Sequence, residues 1–255
     1  MKGAGTGMTN CLIAGIGGQG TILAARLIGT AAMAAGLSVR GSETIGMAQR
    51  GSGVVSHVRM GGVIFSPLIP PGEADALIAF EPGEAVSAAR FLAPGGVAVV
   101  CDRPVQPSGV PSGAGRAGGA SAAGDAGSAG AAGTGAATGA GGAGAAGATS
   151  VAGGAGNAGN AGGAGDTSAG APAYSADACI SWLKKNIKPL RLADGDALIR
   201  QIGPRCLNVA LIGMALSMGA FPFSAGDMEA AIRQRVPEKY AEMNIGALRL
   251  GMEWR

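Results

Sequence analysis

Apolar residues follow two rhythms along this chain, and their alternation predicts its architecture. Asn10–Ile16 is a short, nearly unbroken apolar run ending in glycines, as expected of a buried first strand. After GIGGQG, residues Thr21–Ala35 are rich in Ala, Leu and Ile and read as a helix. Leu37–Glu43 and Gly53–Met60 both read as extended. In the second, Val54, Ser56 and Val58 alternate with Val55, His57 and Arg59, which predicts one well-covered face and one functional or edge face. Ala76–Phe80 and Val97–Cys101 are further runs of strand length. Pro82–Phe91, between them, has helical spacing, with Pro82 in the first turn and Pro94-Gly95 as a stop.

The pattern resumes near Ser175, which is placed to cap a helix carrying Ile180, Leu183 and Ile187 on one face. Leu190–Leu192 suits a short strand and Arg205–Met218 an apolar helix. Ser224 and Asp227 have capping-box spacing, and Pro237 can open a last helix through Leu250. Strands alternating with helices predict a three-layer, Rossmann-like α/β domain with a mixed, mainly parallel sheet. The second and third strands are joined by only about nine residues, too few for a parallel crossover, so that pair is expected to be antiparallel.

Between the two halves lies a Gly/Ala tract that cannot bury enough large apolar side chains to offset the entropy of ordering it. It predicts a low-complexity, disordered insertion over 112–172, with an end-to-end reach of about 40 Å. Residues 1–111 and 173–255 are then two pieces of one domain, because the first piece alone lacks helices for both sheet faces.

The tract also distorts the composition. Its charged residues are Arg116, Asp125 and Asp166; without them, 18 basic and 14 acidic residues remain, a net charge of +4. So mild an excess, with nine aromatic residues in 255, makes no case for nucleic acid. No extended apolar run precedes Gly15, so no secretory signal is expected. Cys206–Phe223 is barely long enough to span a bilayer and contains Asn208 and Pro222, so a buried helix and turn explain it better. The expectation is a cytoplasmic chain without membrane attachment. Cys11, Cys101, Cys179 and Cys206 are scattered, with no C-x-x-C, and His57 is the sole histidine. No metal site is expected; the thiols read as reduced, mostly buried small hydrophobes.

Two segments carry candidate chemistry. Gly15-Ile16-Gly17-Gly18-Gln19-Gly20 satisfies the G-x-G-x-x-G turn pattern between a strand and a helix that Thr21 opens, making Gly15, Gly17, Gly18, Gln19, Gly20 and Thr21 the candidate phosphate-binding residues. Such a turn presents backbone amides to a phosphate. A dinucleotide reading wants an acidic residue about 20 positions on. Val39-Arg40-Gly41 stands there instead, leaving open an NADP site with Arg40 on the 2′-phosphate, or glycines serving packing alone. The second segment, Glu43-Thr44-Ile45-Gly46-Met47-Ala48-Gln49-Arg50-Gly51, is too rich in Gly, Met, Gln and Arg for an ordinary turn. Arg50 offers a planar fork, Gln49 an amide and Met47 an adaptable apolar contact, which together suit a ligand or partner surface.

GIGGQGT at 15–21, ETIGMAQRG at 43–51, SHVR at 56–59, SPLIPPGEAD at 66–75, FEPGEA at 80–85, PGGVAVV at 94–100 and the C-terminal PFS…VPEKYAEMN carry a resemblance. In that order they resemble the beta subunits of indolepyruvate ferredoxin oxidoreductases, within the gamma-domain family of pyruvate and ketoisovalerate oxidoreductases. The chain departs from the family in its long insertion and in Gly51-Ser52-Gly53, where paired glycines are usual; the second departure could shift the loop.

The resemblance implies a small subunit without a redox centre. A large (alpha) subunit would hold thiamine diphosphate and the 4Fe-4S clusters, with coenzyme A as co-substrate and ferredoxin as electron acceptor. The implied reaction is oxidative decarboxylation of indolepyruvate and other aryl pyruvates. Gly15, Gly17, Gly18, Gln19, Gly20 and Thr21 would then serve coenzyme A, while Glu43, Thr44, Met47, Gln49 and Arg50 would face the large subunit. A scaffold subunit without ligand contacts stays open beside this. Asp194-Gly195-Asp196 echoes a thiamine motif without its Asn pair and reads as a helix start; no catalytic residue is assigned to this chain.

Overall fold

The computed structural model describes residues 7–44, 53–105 and 174–255. By contacts the chain divides into one unit of Met1–Ser112 with Ala173–Arg255, and a second, Gly113–Pro172, outside the described residues. A six-stranded sheet forms the middle layer: β1 (Thr9–Ile16), β2 (Ser38–Thr44), β3 (Gly53–Gly61), β4 (Ala74–Ala79), β5 (Leu92–Cys101) and β6 (Leu190–Ala193). Their order is β2-β3-β1-β4-β5-β6. β1, β4, β5 and β6 run parallel, whereas β3 is antiparallel to both of its neighbours, β1 and β2. The short second connection thus does yield an antiparallel pair inside a mainly parallel sheet.

The helices are α1 (Thr21–Ala34), α2 (Pro82–Ala88), α3 (Ala176–Asn186), α4 (Gly195–Ile202), α5 (Leu207–Ser217), α6 (Ala225–Arg235) and α7 (Glu238–Glu253). Strand alternation divides the core into two layers. Cys11 and Ile13 of β1, Ala76 and Ile78 of β4, and Val99 and Cys101 of β5 face residues of α1, α5, α6 and α7. Leu12, Ala14, Leu77, Ala79, Ala98 and Val100 face α2, α3 and Ile69. Both faces of the central strands are therefore covered, and this is why they read as continuous apolar runs.

Local capping follows the sequence closely. Ser175 accepts from the Ala178 amide and Asp194 from the Ala197 amide, while Ser224 and Asp227 form a reciprocal capping box. The Asp194-Gly195-Asp196 segment is thus a helix start. Where α5 crosses α7, a Cβ on Gly213 would overlap the Leu248 carbonyl, and one on Gly251 the Ala210 carbonyl. Glycine at both positions lets the two backbones approach.

β3 departs from expectation. It is an interior strand, and Ser56, His57 and Arg59 are all buried. The polar side that suggested an edge is covered by the connection to β4. Arg59 donates to the carbonyls of Ser66 and Leu68 and to Asn10 Oδ1, and His57 Nδ1 accepts the Ile69 amide. Burial lowers the His57 pKa, so this imidazole is a neutral structural acceptor. All four cysteines are free; Cys11, Cys101 and Cys206 are buried, and burial raises the Cys101 thiol to about 11. Among the described residues, no helix is long and apolar enough to cross a membrane.

Candidate functional site

At the carboxyl end of β1 the chain leaves the sheet through Gly17 and Gly18 and enters α1 at Gly20. Gly18 and Gly20 have φ of 99° and 84°, backbone states that disfavour any side chain. Gln19 holds the turn from within: its Oε1 accepts the Ile16 amide at 2.7 Å, and its Nε2 donates to the Phe80 carbonyl at 3.4 Å. A Cβ on Gly15 would press on both Gln19 and Phe80. Gln19 therefore acts as a strut binding the loop to the end of β4, in addition to any backbone role.

Gly20 makes no side-chain cap for α1. The first amides of that helix consequently lack side-chain acceptors, and the dipole places partial positive charge there. Asn208 of α5, itself buried, donates from Nδ2 to the Gly20 carbonyl at 3.3 Å. It lies within 2.7 Å of where a Gly20 Cβ would stand. Asn208 Oδ1 in turn accepts the Val209 amide at 2.9 Å, so one side chain serves both the first turn of α5 and the entry to α1.

The neighbouring side of this edge is acidic. Glu81, buried, caps α2 by accepting the Glu84 amide at 2.6 Å, and its other oxygen accepts the Tyr174 hydroxyl at 2.6 Å. Glu84 packs its carboxylate where a Cβ on Gly53 would stand, and Gly53 is the register partner of Ile16. Its carboxyl thus lies beside the strand end that launches the glycine loop. Burial, and secondarily the charge of Glu81, raise the Glu84 pKa. Sequence reasoning assigned no role to Glu81, Glu84, Tyr174 or Asn208. The Pro-Gly-Glu at 82–84 is legible as a helix start, but nothing local marks Tyr174 or Asn208.

Of the proposed partner-facing residues, Glu43 lies at the end of β2 and the backbone of Thr44 pairs with Val55. Met47, Gln49 and Arg50 lie outside the described residues. The dinucleotide alternative loses its geometry. β2 is separated from β1 by β3, about 10 Å from the glycine loop by strand spacing. Arg40 stands four residues before the end of β2, about 13 Å short of the edge, and donates to the Ile64 carbonyl.

The model of the family described as pyruvate ferredoxin/flavodoxin oxidoreductase matches residues 10–126 and 166–254, most of the chain. The chain belongs to this family. Indolepyruvate oxidoreductase subunit IorB of Archaeoglobus fulgidus is 29% identical over 244 residues, covering 95% of this chain and 92% of that protein. The subunit of the same name from Pyrococcus horikoshii is 41% identical over 104 residues, 41% of this chain and 52% of its own. The gamma subunit of a keto/oxoacid ferredoxin oxidoreductase from Geobacter sulfurreducens superposes with a TM-score of 0.52 at 19% identity, over 96% of each chain. A 2-oxoglutarate:ferredoxin oxidoreductase from Magnetococcus marinus, solved with 2-oxoglutarate, coenzyme A and succinyl-CoA bound, superposes with a TM-score of 0.54 at 14% identity. That match covers 96% of this chain and 30% of the longer one. These two likenesses establish the three-layer fold and nothing finer.

Proposed function

We propose that this chain is the small, non-redox subunit of a 2-oxoacid:ferredoxin oxidoreductase acting on indolepyruvate and other aryl pyruvates. The reaction joins the acyl group of the 2-oxo acid to coenzyme A, releases carbon dioxide and sends two electrons singly to ferredoxin. The observation that carries the reading is the alignment with a protein named indolepyruvate oxidoreductase subunit IorB across 95% of the chain. Thiamine diphosphate and the 4Fe-4S clusters belong, in this reading, to the large subunit of a cytoplasmic complex. Residues 1–111 and 173–255 make up the working domain, and 112–172 is an insertion.

The role of the present chain is to complete the active site. Gly17, Gly18, Gln19, Gly20 and Thr21 offer main-chain amides to a phosphate of coenzyme A, supported by the start of α1, which has no side-chain cap. Glu43 and Thr44 lead into the Met47–Arg50 segment, which faces the large subunit. A scaffold role without ligand contact is the second reading, and the Glu81–Glu84 pair favours it, because carboxylates beside the loop oppose a phosphate. The test that separates them is Gly18→Asp in the assembled complex. A KM for coenzyme A raised severalfold, with the subunits still associated, supports the phosphate role; an unchanged KM leaves the scaffold.

A further inference from the structure

The sheet ends at β2, and the surroundings of that edge differ from those of β6, the other end. β6 has four residues, whereas β2 has seven and is paired on one side only. Its outer N–H and C=O groups have no strand partner among the described residues. Gly41 stands in the middle of β2, and an interior-strand glycine marks a place where another backbone can come close.

Exposed apolar side chains flank this edge on both faces. On the α1 face Met33 is 52% exposed. It borders an open groove of about 550 Å³ between α1 and β2 that has Val39 and Val58 in its lining. On the other face lies the segment tied to β2 through Arg40 and Ile64, where Val63 is 77% and Phe65 94% exposed. A long free edge between two apolar surfaces is a template for strand addition, which natural sheets otherwise cover or shorten.

The charges fix the chemistry of the occupant. Arg26 and Arg235 line the groove and Arg40 stands on the opposite face; all three are exposed. Arg235 donates to Thr30, but none of the three forms an ion pair among the described residues. Among the described residues, Glu43 is the single carboxylate lining the groove.

We propose that β2 is a docking edge, which an extended, carboxylate-bearing segment of the large subunit joins as a seventh strand. Main-chain pairing along β2 supplies adhesion, apolar side chains of the segment cover Met33 and Phe65, and its carboxylates meet Arg26 and Arg235. Glu43, near the end of β2, is itself among the residues proposed to face the large subunit, so the edge and that proposed surface share a residue. The inference rests on the subunit reading and adds the element that makes the contact.

Hydrogen–deuterium exchange of the full chain, alone and in the co-purified complex, tests it. Complex formation should slow exchange across 38–44 while leaving 190–193 unchanged. Arg26→Glu with Arg235→Glu should raise the Kd for the large subunit about tenfold near 0.1 M salt, and the gap should narrow as salt rises. A complex of full affinity with β2 exchanging as in the free chain overturns the docking edge and spares the subunit reading. Protection of β2 in the chain alone, growing with its concentration, makes the occupant a second copy and also overturns it. Absence of any complex removes both readings.

Discussion

Tyr174 Oη donates to Glu81 Oε2 at 2.6 Å, joining the residue where the chain re-enters the described fold to the N-cap of α2, 93 positions earlier. Glu81 serves two donors at once, the Glu84 amide and this phenol, so the start of α2 and the approach to α3 share one carboxylate. A Cβ on Gly83 would press on the Tyr174 ring, so glycine there admits the phenol.

Tyr174→Phe should therefore cost about 1 kcal/mol, less than the roughly 1.5–3 kcal/mol of hydrogen bonds to charged groups, because Tyr174 is 43% exposed. Glu81→Ala should cost about twice as much, since the helix cap is lost with it. Urea denaturation of both variants checks the order.

Gly213→Ala should be among the most damaging single-methyl changes in the fold, at about 3 kcal/mol or more. The new Cβ meets the Leu248 carbonyl, which is helix backbone and cannot turn aside. Gly246→Ala on α7 is the control, because a Cβ there meets nothing. Thermal unfolding should separate the two clearly, with the control unchanged or slightly stabilised.

Glu84 gives the ligand reading a pH signature. Its pKa is raised by burial and then by Glu81, so the carboxyl keeps its proton to a higher pH than an exposed carboxylate does. As pH rises through that raised value, negative charge appears beside the glycine loop. The KM for coenzyme A should then rise, and Glu84→Gln should flatten the dependence. The linkage to stability has the same sign: a folded-state pKa above the unfolded one favours folding at low pH, and that contribution is lost as pH rises through the folded value.

Much of this fold is written in the spacing of apolar residues. Leu12 and Ala14 serve one core layer while Cys11 and Ile13 serve the other, so β1 reads as an unbroken run. Ser175, Asp194 and Ser224 announce helices because capping is a local interaction. β3 misleads because its polar side is covered by residues 62–69, a connection with no periodicity to betray that it packs on the sheet. At the candidate site, the glycine turn is legible since its constraint lies within six residues. Asn208 is not, because it reaches Gly20 across 188 positions and only the packing of α5 beside α1 brings them together. Tyr174 is hidden for the same reason.

The most direct test of the subunit assignment is an anaerobic reduction assay on this chain co-purified with its large subunit. Indolepyruvate and coenzyme A serve as substrates, viologen or ferredoxin as acceptor, and each subunit is also assayed alone. The pair should show 2-oxoacid-dependent reduction that requires coenzyme A, and this chain by itself none. Undiminished, coenzyme A-dependent turnover by the large subunit alone would contradict the assignment, as would a stable pair inert toward every aryl 2-oxo acid supplied.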